Sequence, residues 1–247
     1  MVDLSFLNKY IVKLSLVRMQ MSSISDNLKR VREQIATAAV QSGRSDNEIH
    51  LVAVTKTVGV EVIREAILCG ATIIGESRVQ DAAVKHHQVS ETASWHLVGH
   101  LQRNKVKKAL EIFDLIHSVD SFRLAEEISR RSQELNRQTS VLIQVNTSGE
   151  ESKFGLPPEE AIPFLESISS LQGMRVLGLM TIGIFSPDAE QVRPCFVKLR
   201  EVFEQAKGLR ISNVEMRFLS MGMTNDYPAA IQEGANMVRI GTAIFHA

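Results

Sequence analysis

The chain has 247 residues, 44% of them apolar and 23% charged, which suits a folded domain with a sizeable core and excludes a disordered or collagen-like polymer. Its 28 basic residues cancel 28 acidic ones, so no global positive field gathers nucleic acid or an anionic membrane surface. Cys69 and Cys195 stand far apart with no C-x-x-C and no run of about 18 apolar residues occurs, which argues against a disulfide framework, a zinc site and a membrane span, and for a reducing cytoplasm.

The first twenty residues, MVDLSFLNKYIVKLSLVRMQ, mix apolar and basic residues with a single acid, Asp3. They suit a transit peptide, an amphipathic helix, or a start assigned too early with Met19 or Met21 as the first residue. Residues 1–21 are therefore set apart as an N-terminal extension, and residues 22–247 are read as one domain. In SSISDNLKRVREQIATAAVQSG the spacing of Ile24, Leu28, Val31, Ile35 and Ala38 or Ala39 predicts an amphipathic helix, capped near Ser25 or Asp26 and stopped by Gly43.

Beyond it, short apolar runs alternate with helical stretches. Strands are expected at 50–55, 71–76, 95–99, 115–119, 141–146, 175–181, 216–221 and 236–241. Continuous apolar strands separated by helices are the pattern of parallel strands covered by helices, and eight repeats favour closure into a single (β/α)8 TIM barrel. A doubly wound open sheet is the competing arrangement. In such barrels the strands' C-terminal ends carry the ligand. Here they present Lys56, Glu76 and Ser77, Gly99 and His100, Asn146, Thr181, Ser220 with Gly222, and Gly241 with Thr242.

Lys56 ends the run LVAVTK. If its stem packs among strand residues, lost hydration favours the neutral amine, which can condense with an aldehyde. An ion pair with Glu76 is the plainer alternative. After the last two strands, SMGM at 220–223 and RIGT at 239–242 combine glycine with hydroxyls, as barrel phosphate sites do, although either alone is also an ordinary tight turn. Together, opposite a lysine, they suggest a phosphorylated aldehyde. Arg239 lies two residues before Gly241 and so shares its face. A guanidinium only donates, so a pyridine nitrogen facing it stays unprotonated and is a weaker electron sink; a salt-bridged barrel arginine is the alternative.

VAVTK, IIGESRVQD, WHLVGHLQRNK, IHSVDS, VLIQVN, SKFGL, VLGLMT, FLSMGMTNDYPAAI and MVRIGTAIF, in this order from about residue 24 onward, resemble the pyridoxal 5′-phosphate homeostasis proteins of the YggS/PROSC type. The resemblance implies a barrel like the N-terminal domain of alanine racemase, the fold type III arrangement, with pyridoxal 5′-phosphate (PLP) held as an internal aldimine. Lys56 corresponds to the Schiff-base lysine, and Ser220, Gly222, Gly241 and Thr242 to the phosphate cup. Met223 lies in the same loop and offers a backbone N–H, and Arg239 corresponds to the arginine beside the pyridine nitrogen. Ser77 stands where the family has asparagine, so that contact to the cofactor edge or a neighbouring loop is lost or bridged by water.

The implied role is a non-enzymatic, cytoplasmic, monomeric PLP carrier that stores, buffers or delivers the cofactor. Its partners would be PLP-dependent apoenzymes or a regulatory protein, and its effect on amino-acid and keto-acid balance would be indirect. A weak amino-acid racemase is the rival, and it needs a second base. Tyr10 and Tyr227 are the available tyrosines, and Tyr227 is expected to pack on the helix it begins. His96, His100 and His117 lack a third metal ligand and an evident orienting partner, so hydrogen bonding in the core or at the mouth is expected of them. A signalling role through QRNKVKK (102–108) is a third possibility; such a run usually forms a solvated helix face.

Overall fold

The computed structural model describes residues 4–246, with side chains from 23 to 246. Helix α1 (Leu4–Gln41) comes first. The cap expected near Ser25 or Asp26 is a correction: both are exposed inside α1, on its solvent face, while Ile24 continues the buried stripe of Leu28, Val31 and Ile35. The chain leaves this helix through Gly43, whose φ of +71° suits a residue without a Cβ. The side chains of the leader, Tyr10 among them, lie outside the described residues, and so do the readings given above for that segment.

The strands are β1 (His50–Val54), β2 (Ile73–Glu76), β3 (Ser94–Leu97), β4 (Leu115–Val119), β5 (Thr139–Gln144), β6 (Met174–Met180), β7 (Val214–Ser220) and β8 (Met237–Ile240). Between and after them come α2 (Val60–Leu68), α3 (Val79–His86), α4 (Val106–Leu110), α5 (Phe122–Glu134), α6 (Ala161–Ser167), α7 (Ala189–Lys207), α8 (Tyr227–Gln232) and α9 (Thr242–Phe245). All strand pairs are parallel, and β8 pairs with β1, matching Val52 to Arg239 and Ala53 to Ile240. The sheet is a closed eight-stranded barrel, so the open-sheet alternative falls.

Strand alternation divides the apolar residues into two cores. Ala53, Ile74, Leu97, Val238 and Ile240 face outward and join the helices' buried stripes. Val52, Leu115, Leu142, Leu177, Met180 and Met237 face inward and fill the barrel. Helix α1, packed on α8 and α9, covers the wall beside the strands that close the barrel. Among the described residues no helix is long and apolar enough to cross a membrane, and no group of three or more His, Cys, Asp or Glu could hold a metal. Both cysteines are free.

Candidate functional site

Inward parity carries Val52 and Val54 of β1 toward the barrel mouth, and Lys56, two residues further, lies in the turn beyond the strand. There a cavity of about 570 Å³ opens, within the size range of small-molecule sites. Lys56, Ser77, Met223, Arg239, Gly241 and Thr242 all line it. Two expectations about Lys56 are corrected. Its side chain is exposed rather than packed among strand residues, because the strand ends at Val54. Nor does it pair with Glu76. That carboxylate shares the outward face of Ile74 and takes the Nζ of Lys85 at 2.7 Å instead.

Ser220 and Gly222, expected in the phosphate cup, do not line the cavity. The Ser220 hydroxyl is fully buried between Arg239 Nη1, which donates to it at 2.7 Å, and His117 Nδ1 at 3.1 Å. Gly222 has a φ of +92°, and a Cβ there would sit 2.6 Å from the Cβ of Ala230, so glycine is needed for the loop to reach α8. A Cβ on Gly241 would lie 3.0 Å from the carbonyl oxygen of Val54, which keeps this wall of the cavity bare. The backbone N–H of Met223 donates to Asp226 Oδ1 at 2.6 Å, so within the protein it is already engaged.

Arg239 is buried, and its Nη2 donates to the carbonyl of Thr181 at 2.7 Å. With Nη1 on Ser220, further N–H groups of the guanidinium remain for the cavity. Burial lowers its pKa to about 10, an effect opposed by the charge of Asp226, and the group stays cationic at neutral pH. Asp226 is itself buried against the cavity; burial raises its pKa, while the Met223 N–H and the Arg239 charge work against that rise.

Beneath Arg239 a hydrogen-bonded chain runs through the lumen. His117 Nε2 lies 3.1 Å from His96 Nδ1. Burial holds His96 down to about 4 and His117 well below its ordinary value, so both are neutral at pH 7. Arginine can only donate, so Ser220 Oγ accepts from Nη1, while one hydrogen is shared between Ser220 Oγ and His117 Nδ1 and one between His117 Nε2 and His96 Nδ1, in the direction the imidazole tautomers set. His96 thus pairs with His117 on the neighbouring strand. His100 stacks on Phe154 at the rim, with ring centroids 3.9 Å apart, and faces Asp120.

Several lining residues carried no sequence signal read above. Ile182, Ile184, Phe185 and Ser186 form the loop between β6 and α7, with Phe185 93% exposed at the mouth. His246 follows α9, and its Nε2 lies 3.0 Å from the hydroxyl of Thr57, the neighbour of Lys56. An apolar run continuing past a strand end, as in TIGIF, was the one available clue. Tyr227 is buried, and its hydroxyl donates to Gln34 of α1, away from the cavity. Asn146 closes its own loop by donating to the carbonyl of Glu150 at 2.9 Å.

The chain matches the family model of the alanine racemase N-terminal domain over residues 21–247. A pyridoxal phosphate homeostasis protein of Aquifex aeolicus is 43% identical over 221 residues, which cover 89% of this chain and 96% of that one. Among solved structures, a Bifidobacterium adolescentis protein described as unknown superposes with a TM-score of 0.86 at 39% identity, covering 92% of this chain and 96% of its own. PipY of Synechococcus elongatus PCC7942, solved with PLP bound, gives a TM-score of 0.77 at 35% identity, covering 90% of this chain and 99% of that one.

Proposed function

Since the chain belongs to the alanine racemase N-terminal domain family and, within it, to the pyridoxal phosphate homeostasis proteins, we propose that it binds PLP covalently at Lys56 and serves as a carrier of the cofactor. The observation that supports this most is that one cavity gathers the amine of Lys56, the guanidinium of Arg239, the loop after β7 at Met223 and the loop after β8 at Gly241 and Thr242. The residues fit the cofactor by their own chemistry. Lys56 has no carboxylate partner among the described residues, Arg239 keeps donors to spare, and Gly241 leaves room where a Cβ would crowd the wall.

Lys56 would hold PLP through its amine, and the aldehyde of the cofactor would supply the carbon for a C=N link made with loss of one water. Met223 of the loop after β7, with Gly241 and Thr242, would border the phosphate and Ser77 the ring; Gly222 would serve by letting that loop reach α8, and Ser220 by holding Arg239. Arg239, which can only donate, would hold a pyridine nitrogen unprotonated, and a ring so held would be a poor electron sink, suited to holding PLP rather than turning it over. The carrier stores, buffers or delivers PLP, with PLP-dependent apoenzymes as recipients, and acts in the cytoplasm as a monomer.

Borohydride reduction of the PLP-loaded protein followed by peptide mapping is expected to label Lys56; an unlabelled position 56 overturns the reading. One observation favours the rival racemase. His246 lines the same cavity. Proton exchange at Cα of added amino acids in deuterated water, at about 1 per second or faster, would make the protein an enzyme; a rate orders of magnitude slower is expected.

A further inference from the structure

On the reading of Lys56 given above, we propose that Lys85 on α3, acting with Glu76 through Thr55, is a positioning residue that sets where the Lys56 side chain begins. Lys56 sits exposed in a turn, and among the described residues its long flexible stem has no hydrogen-bond or ion-pair partner that would aim the amine. What fixes the stem is the backbone at its root, and that root is held from behind the barrel wall.

Thr55 is fully buried and all its polar atoms are engaged. Its N–H donates to the Gly75 carbonyl at 2.9 Å. Its carbonyl accepts from the Val58 N–H at 3.2 Å and from Lys85 Nζ at 2.7 Å. Its hydroxyl donates to Glu76 Oε1 at 2.6 Å, with a longer contact of 3.4 Å to the Gly75 carbonyl. Lys85 Nζ donates to that same Oε1 at 2.7 Å. Thr55 is thus tied to β2 through the carboxylate and to α3 through the ammonium, and Lys56 is the next residue.

The geometry exceeds what gluing α3 to the sheet requires. A strand–helix ion pair needs only Lys85 and Glu76, yet the ammonium also reaches the main chain at Thr55. Glu76 is fully buried, and its Oε2 has no partner among the described residues, so its charge is compensated through Oε1 alone. Removing Lys85 would free the backbone carbonyl before Lys56 and leave the Glu76 carboxylate, which also holds the Thr55 hydroxyl, without its cation, so the root of the Lys56 side chain would lose its tie to α3.

The test compares two ligands on PLP-free protein. PLP can bond to Lys56, whereas pyridoxine 5′-phosphate has the same ring and phosphate with an alcohol in place of the aldehyde, so it reports the cavity without the covalent step. In Lys85→Met the visible absorption band is expected to appear about tenfold more slowly on adding PLP, because small misplacement of a reacting group is costly. Thr55→Val should slow it too, while Lys85→Arg and Thr55→Ser should stay within about twofold of wild type, and pyridoxine 5′-phosphate should bind all variants within about twofold of wild type. Wild-type rates in both Lys85→Met and Thr55→Val overturn the proposal, as does parallel weakening of both ligands. If Lys85→Met fails to fold, the Thr55→Val and Thr55→Ser pair decides. A wild type that shows no band and no borohydride label removes the reading of Lys56, and this inference with it, a result distinct from slow variants of a competent protein.

Discussion

Two buried polar groups of residues meet at the barrel mouth and are satisfied in opposite ways. Behind the wall, Glu76 and Lys85 form a contact ion pair at 2.7 Å clamped on Thr55. In the lumen, Arg239, Ser220, His117 and His96 form a chain with a single charge at its top and neutral imidazoles below. The wall meets the cost of burial with an opposite charge. The lumen meets it with neutral donors and acceptors, which leaves the charge of Arg239 uncancelled by contact and available to whatever fills the cavity.

The difference predicts unequal responses to mutation. Breaking a contact ion pair strands a buried charge, so Lys85→Ala should cost about 3–5 kcal/mol in urea unfolding, the largest effect expected. Glu76→Gln combined with Lys85→Met should recover much of that loss, since no charge is then left alone. If Lys85→Ala costs no more than a surface substitution, the wall is not charge-balanced as described.

Acid should act on the lumen instead. The folded His96 pKa lies near about 4 and its ordinary value is 6.5, so between these the unfolded chain binds a proton that the folded one refuses. Stability from this histidine is whole above pH 6.5 and falls as pH drops toward 4, by about 3 kcal/mol at the low end. The expected readout is a urea midpoint that declines over that window in wild type and flattens in His96→Gln. A decline unchanged in the variant would assign it to other groups.

A smaller loss, about 1–3 kcal/mol, is expected for Ser220→Ala, which leaves a guanidinium N–H and His117 Nδ1 without their shared partner. Because Ser220 does not line the cavity, its loss should reach PLP through the aim of Arg239. The affinity of pyridoxine 5′-phosphate should therefore fall together with that of PLP, unlike the split expected of the wall variants.

Which parts of this were legible in the sequence follows from what each depended on. The barrel was, because eight apolar runs separated by helical patterns leave few ways to bury both faces of a parallel sheet. Lys56, Arg239, Gly241 and Thr242 were, because strand parity and strand ends are local properties, and all four reach one cavity. The expected Lys56–Glu76 pair failed on parity: 52, 54 and 56 run along the inner face, whereas 74 and 76 face the helices. His96 and His117 were expected to hydrogen-bond without an evident partner in the sequence; they pair with each other across β3 and β4, while β3 ends at Leu97 and His100 turns to the rim. Asp226 and His246 could not be read at all, since loop conformation alone brings them to the cavity, and Phe185 was hinted at only by the apolar run TIGIF.

The smallest expected effect asks whether the charge of Arg239 is offset at all within the lumen. Asp226 is the nearby carboxylate that acts on it, yet its Oδ1 is bonded to the Met223 N–H and it forms no contact pair with the arginine. Burial raises the folded pKa of Asp226 above its ordinary 3.8, so within the window just above that value the folded chain holds a proton that the unfolded one has released. Its contribution to stability is present at low pH and is lost as pH rises through the folded pKa, opposite in sign to that of His96. Asp226→Asn keeps an acceptor for Met223 and removes the titration. The variant should therefore lose the rising acid arm in urea unfolding while holding the phosphate of PLP more tightly at neutral pH, where one negative charge has left the cavity wall. Weaker PLP retention in Asp226→Asn would mean that the carboxylate serves the site by supporting Arg239, and the lumen would then be balanced by charge after all, as the wall is.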